Sequence, residues 1–194
     1  LNRYTLHFKS TLAGCCFSLL LMFLQGFTPV QAQENIFRSH KGRVTFISKA
    51  EMETIVATSD FLKGVLSPDD DSFAFEISIS SFMGFNSPLQ QEHFNENYLE
   101  SGRYPSATFM GSFIEKVNFE KERETQVRAK GMLTIHNISQ PIIIPVEMEI
   151  TEDQVIGNCS FFISLHDYDI KIPRIVSKKI AEDINIQVHV EFNK

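Results

Sequence analysis

The segment Ser72–Ser80, SFAFEISIS, alternates without interruption. Phe73, Phe75, Ile77 and Ile79 point one way, and Ala74, Glu76, Ser78 and Ser80 point the other. A period of two with one apolar side is the pattern of a half-buried β-strand. Pro68-Asp69-Asp70-Asp71 just before it is a turn, because these residues favour tight backbone reversals for steric and hydrogen-bonding reasons. Working outward, the same alternation recurs. Arg43–Ala50 places Val44, Phe46 and Ser48 on one side, and Thr54–Ser67 contains a second extended region. Thr125–His136 carries Val127, Ala129, Gly131, Leu133 and Ile135 on one face, and Asn137–Gln140 is read as the hairpin turn. Pro141–Thr151 returns with Ile142, Ile144, Val146, Met148 and Ile150 inward and Glu147 and Glu149 outward. Gln154–Leu165 and a last strand with Ile184, Ile186, Val188, Val190 and Phe192 complete the series. Seven or eight one-sided strands at hairpin spacing define an all-β chain, an antiparallel barrel or sandwich.

One stretch breaks the pattern. Ser87-Pro88-Leu89-Gln90 is a helix start: Ser87 caps, Pro88 suits the first helical position, and Gln90 completes a capping box. Leu89, Phe94 and Tyr98 then share a face, with Glu92, Glu96 and Glu100 left for solvent. Gly102 stops the helix, and Tyr104-Pro105 leads into a strand bearing Phe109, Gly111 and Phe113. The single short helix Ser87–Leu99 is therefore a lid-like element on a sheet protein.

Residues Leu1–Ala32 are read as a secretory signal peptide, cleaved after Ala32. Arg3, His7 and Lys9 form its basic leader, Leu12–Phe27 its apolar core, and Val30-Gln31-Ala32 its small-residue cleavage site. Residues 33–194 are then one domain at a periplasmic or secreted address. Cys15 and Cys16 leave with the leader, so Cys159 stands alone and stability must come from a core. The 18 phenylalanines, with no tryptophan, supply it. The formal net charge is −6, and removal of Arg3 and Lys9 makes it more negative, which disfavours nucleic acid and anionic membrane surfaces.

Motifs for chemistry are few. His93 with Glu92 and Glu96 lacks HExxH and has no second histidine at helical spacing, so no metal is expected. His166-Asp167-Tyr168-Asp169 reads as a strand end with polar groups at a rim, and Arg174, Lys178 and Lys179 as solvated charges near a mouth. Cys159, on an apolar face, is read as a small core residue rather than a nucleophile. There is no Gly-x-Ser-x-Gly elbow, P-loop or dinucleotide fingerprint. No catalytic residue and no cofactor are assigned.

Several pieces carry a family resemblance: Phe85-Asn86-Ser87, Phe94-Asn95-Glu96, Tyr104-Pro105-Ser106-Ala107-Thr108-Phe109, Gly131-Met132-Leu133-Thr134-Ile135, Asp167-Tyr168-Asp169-Ile170 and Ile184–Val190. In this order they resemble the YceI family of exported, polyisoprenoid-binding bacterial proteins, over Phe37–Phe192. A short Gly-containing turn is expected after Ile135, and His136-Asn137-Ile138-Ser139-Gln140 stands there instead. The resemblance implies an extended, lipocalin-like, eight-stranded antiparallel barrel with the helix at its side or mouth. It also implies that the interior binds one long isoprenoid lipid, a quinone tail or a polyprenyl chain, without catalysis. The candidate wall is Phe46, Phe73, Phe75, Ile77, Ile79, Phe109, Phe113, Leu133, Ile135, Ile144, Val146, Phe161 and Ile163. The same alternation also describes a filled core, and Gly111, Gly131 and Gly157 either make room for a chain or curve the strands. Two other readings stay open: an enzyme acting on an apolar substrate in the same cavity, and an outer-membrane barrel with its apolar face turned outward. Self-association into a homodimer is also left open, whereas no stable membrane span is expected after leader removal.

Overall fold

The computed structural model describes residues 35–194, so the leader read into Leu1–Ala32 lies outside it. Nine strand segments form one antiparallel sheet: β1 (Phe37–Lys49), β2 (Thr54–Ser59), β3 (Lys63–Ser67), β4 (Ser72–Ser78), β5 (Ser106–Phe113), β6 (Arg123–Ile135), β7 (Ile138–Ile150), β8 (Gln154–Ser164) and β9 (Asp183–Asn193). β1 pairs with β9 from Arg38↔Asn193 to Ile47↔Asn185, which closes the sheet on itself. β2 and β3 share one position beside β1, through Lys49↔Thr54 to Val44↔Ser59 and then Arg38↔Val65 and Phe37↔Leu66. The nine segments thus make an eight-stranded, closed, up-and-down barrel.

The extended stretch Thr54–Ser67 is divided into β2 and β3, and Asp60–Leu62 is the reason. There the Leu62 N–H turns to the Gly42 carbonyl (3.3 Å) and the Phe61 N–H to Ser59 Oγ (3.2 Å). A Cβ on Gly42 would lie 2.5 Å from the Leu62 carbonyl oxygen, so only glycine admits this crossing. The strand read as Ser72–Ser80 stops at Ser78. Ile79–Ser81 is a 3-10 turn, held by Ser81 Oγ donating to the Ser78 carbonyl (2.6 Å), and Ile79 stays buried. The hairpin turn is His136-Asn137, not Asn137–Gln140. Both residues adopt positive φ (52° and 63°), and Ile138 already pairs with Ile135. Two residues in that conformation match the twist of the flanking strands, and the asparagine takes over what a glycine would do.

The helix α1 (Pro88–His93) is shorter than the expected Ser87–Leu99 and continues as a π-helical turn over Phe94–Tyr98. Ser87 Oγ accepts the Gln90 N–H (3.2 Å), as a cap should. The second half of the capping box is rearranged. Gln90 Oε1 receives the Asn86 N–H (3.0 Å) and its Nε2 donates to Glu53 (3.1 Å), tying the helix to the β1–β2 turn.

The barrel has two unlike ends. At one, Phe37, Leu66, Val127, Ile150, Val155 and Phe192 pack to near-complete burial, and the loop after β5 folds Val117 and Phe119 over them. Asp71 holds that loop by accepting the Val117 N–H (3.2 Å) and pairing with Lys116 (2.9 Å). At the other end lie the β1–β2 turn, α1, the β6–β7 turn and the long connection from β8 to β9. A second cluster there gathers Ile79, Leu99, Leu133, Ile135, Tyr168 and Ile184. Tyr168, expected as a polar group at the rim, is instead buried in this cluster, because the 3-10 turn Leu165–Tyr168 rotates its ring inward.

Candidate functional site

Between the two packed clusters the barrel is not filled. Phe46, Phe75, Phe109, Phe113, Val146, Phe161, Ile186 and Val188 face inward yet are only half-buried. An inward side chain on a closed barrel gains exposure from space inside. That space is a cavity of about 500 Å³, opening at the end that carries α1. Its size falls within the roughly 300–1,000 Å³ typical of small-molecule sites.

All thirteen wall residues read from the sequence lie on this cavity: Phe46, Phe73, Phe75, Ile77, Ile79, Phe109, Phe113, Leu133, Ile135, Ile144, Val146, Phe161 and Ile163. The alternation within each strand decided their side, and closure of the sheet brought the sides together. Others lining it were not singled out. Ile184, Ile186, Val188 and Val190 of β9 carried the same alternation and were legible by it. Phe82, Phe85 and Phe94 were not, because they sit on no regular strand. Phe94 stacks on Phe46 (centroids 5.3 Å apart, planes at 16°) and meets Phe85 at 5.0 Å and Phe82 at 5.9 Å. This aromatic group fastens the helix to the wall and roofs the cavity, with the pairs adding about 0.5–1.5 kcal/mol each beyond area burial.

Gly111 and Gly131 answer the question about room in a specific way. They pair directly across β5 and β6, and a Cβ on Gly111 would fall 2.1 Å from the Lys130 carbonyl oxygen. They serve close backbone approach and do not line the cavity. Gly157, buried, does line it.

Polar groups gather at the mouth. Glu53, Ser87, Gln90, His93 and Lys179 edge the opening. Asn86 Nδ2 donates to Glu53 Oε1 (2.9 Å), and this bond, with that from Gln90 and the nearby Lys179 charge, holds the Glu53 carboxyl below the usual carboxylate range. The mouth is braced by the Met52 N–H on the Lys178 carbonyl (2.8 Å) and the Ala181 N–H on buried Ser48 Oγ (2.9 Å). Deeper in, burial pushes the Cys159 thiol up to about 12, so at neutral pH it is a neutral, inert wall residue. Tyr168 is raised to about 12 by burial and then by Asp167, and Tyr98 is raised by burial. His166 is fully at the surface, away from any partner except Asp167 (3.9 Å). Among the described residues no three His, Cys, Asp or Glu side chains converge as a metal site, and His93, Glu92 and Glu96 do not form one. No helix among them is long and apolar enough to cross a membrane. The outer faces of β6 and β7 carry Arg128, Lys130, Glu147 and Glu149 at the end away from α1 and Met132, Pro141, Ile143 and Pro145 toward it.

A closed eight-stranded antiparallel barrel around an apolar internal cavity, with a helical roof, is the architecture of a lipid- or small-molecule-binding cavity. Residues 34–192 match the YceI-like domain, and the chain belongs to that family. Among solved structures, it is similar to a polyisoprenoid binding domain from Saccharophagus degradans, with TM-score 0.69 and 12% identity, covering 81% of this chain and 97% of that one. It is similar also to BcnA of Burkholderia cenocepacia (TM-score 0.64, 15% identity, 77% and 95% covered). The YCEI protein of Campylobacter jejuni gives TM-score 0.59 at 18% identity, with 76% and 90% covered. These likenesses establish the fold. No curated protein sequence matches the chain.

Proposed function

We propose that this protein binds and carries a long isoprenoid lipid, a quinone tail or a polyprenyl chain, in the bacterial cell envelope, without chemistry on it. The observation that carries the reading is the half-buried inward row from Phe46 to Val188 around an apolar cavity of about 500 Å³. Each CH₂ of a chain moved from water into such a wall contributes about 0.8 kcal/mol, before the cost of ordering it. A branched, flexible hydrocarbon needs shape and apolarity from its site rather than directed hydrogen bonds, and the wall offers those. The polar residues stand at the mouth, where a quinone ring or a phosphate head would meet Gln90, His93 and Lys179. The similarity to a polyisoprenoid binding domain supports the same ligand class. A binding role is favoured over catalysis because Cys159 is neutral and the Glu53 carboxylate is already engaged by Asn86 and Gln90. The exported address rests on the leader reading of Leu1–Ala32.

The test is organic extraction of protein purified from its native envelope, with mass spectrometry of the extract, followed by titration of the emptied protein with menaquinone and with a polyprenol. The expected result is a prenyl lipid in the extract and saturable one-to-one binding. No lipid in the extract and no saturable binding of either compound overturns the reading.

A further inference from the structure

The barrel wall has one seam that is not zipped. β6 and β7 pair along their whole length, from Arg123↔Ile150 to Ile135↔Ile138, and β8 and β9 from Gln154↔Asn193 to Ser164↔Asp183. β7 and β8 pair only through Glu147↔Asn158, Met148↔Gly157, Glu149↔Ile156 and Ile150↔Val155. Beyond Glu147, toward the α1 end, no further ladder pair joins the two strands.

The cause is in the sequence of β7, Pro141-Ile142-Ile143-Ile144-Pro145. Both prolines keep unbroken register with β6, opposite Met132 and Arg128. In an antiparallel ladder, alternate residues direct their backbone groups to alternate neighbours. Unbroken pairing with β6 therefore requires that the N–H groups missing from Pro141 and Pro145 are those that would face β8. β7 is an edge strand on this side, and proline is admitted to sheets at such edges. The seam ends at the 3-10 turn Leu165–Tyr168, where Gln140 Nε2 donates to the Asp167 carbonyl (2.9 Å) and the His136 ring meets the Tyr168 carbonyl (3.2 Å). The unpaired stretch, called the slot below, is thus bounded at both ends and is not a frayed strand end.

The inner side of the slot is apolar, and its outer side carries Ile143 on β7 and, between Ser160 and Ser164, Phe162 on β8. Ile144 and Val146 on β7, and Phe161 and Ile163 on β8, line the cavity. On the outer surface Ile143 is 56% exposed and Phe162 is 71% exposed. Continuing the register of the four closed pairs, Ile143 and Phe162 stand opposite one another, so they form matched lips at one level of the slot. Large apolar side chains flanking an unpaired seam over an apolar cavity fit a guest that is itself apolar on every side.

We propose that the slot between β7 and β8 is a side portal through which the hydrocarbon chain of the ligand passes into the cavity, separate from the polar mouth at α1. This rests on the lipid-carrier reading above. A polar head then stays near Gln90 and Lys179 while the chain threads between the strands, a route that spares the head group from crossing the apolar interior.

The experiment uses Cys159→Ala protein with Ile143→Cys and Phe162→Cys, joined across the slot by a short bismaleimide containing a cleavable disulfide. The probe is a polyprenol carrying an environment-sensitive fluorophore at its head, delivered from neutral phosphatidylcholine vesicles and followed by stopped flow. Joining the lips is expected to slow uptake at least tenfold while leaving the amount bound at equilibrium unchanged, and cleavage of the linker restores the rate. Unchanged uptake by the joined protein overturns the portal. Absence of uptake by the unjoined protein overturns the carrier reading itself, so the two failures are distinct. A second variant, Pro141→Thr with Pro145→Thr, returns the missing donors. Hydrogen-exchange protection appearing at Phe162 together with slower uptake supports the portal, and protection without any change in rate overturns it.

Discussion

The barrel is built from one kind of strand throughout, yet the end beneath Val117 and Phe119 is filled and the stretch between it and the α1 cluster is hollow. At the filled end Ile150 and Val155 are 1% exposed, and Phe119 and Phe37 meet edge to face at 6.0 Å. Toward α1, Phe109, Phe161 and Val188 occupy equivalent inward positions and remain half-buried. The side chains are no smaller. What differs is what lies across from them: a loop folded inward over the filled end, pinned by Asp71, and a helix held above the hollow stretch by Phe94. Binding capacity is thus a property of how the ends are capped, with the packed end supplying the stability that the cavity withholds.

Truncation tests that difference most sharply. Ile150→Ala opens a void in close-packed surroundings and is expected to cost about 3–4 kcal/mol of unfolding free energy. Val188→Ala, which faces existing space, is expected to cost about 1 kcal/mol. Urea unfolding of both variants checks this, and equal losses would break the comparison. A second measurement concerns the waist between the ends. Gly111→Ala forces a methyl to within 2.1 Å of the Lys130 carbonyl and is expected to cost about 2–3 kcal/mol, whereas Gly102→Ala, with nothing within 4 Å, leaves the midpoint unmoved.

Filling the hollow rather than emptying the core gives the converse. Val188→Phe is expected to leave thermal stability unchanged and to weaken polyprenol binding about tenfold, equivalent to about 1.4 kcal/mol. Retained affinity would place the ligand elsewhere. The smallest effect is electrostatic. Glu191, beside the filled end, is held near about 2 by hydrogen bonds from Lys41 and then His189, against an ordinary value of 4.5. A depressed carboxylate contributes stability that is full above the ordinary value and lost as pH falls through the folded one. Glu191→Gln should therefore flatten the fall in urea midpoint between pH 4.5 and pH 2, while ligand binding is untouched.

Much of this was readable beforehand because strand alternation is a local property. A half-buried strand must present every second residue to the interior, so Phe73, Phe75, Ile77, Leu133 and Ile144 announced their side without knowledge of any partner. The cap at Ser87 was equally local. Elements that depend on contacts between distant residues were not legible. The position of the break at Asp60–Leu62 is set where Leu62 crosses Gly42, and the rearranged capping box arises because Glu53, on another turn, competes for Gln90. Tyr168 carries a polar atom that predicts a place at the rim, but the turn at Leu165 swings its ring into the second cluster.

The linear chain by itself determined the class of fold, the inward face of nearly every strand and the apolar character of the interior, since a period of two is imposed by backbone geometry alone. Only the tertiary structure decided that the interior is hollow between its two packed clusters and that the ladder between β7 and β8 stops at Glu147. Filled and empty barrels demand the same alternation. The difference lies in how far facing walls stand apart, which is set by closure, capping loops and the donors that Pro141 and Pro145 lack.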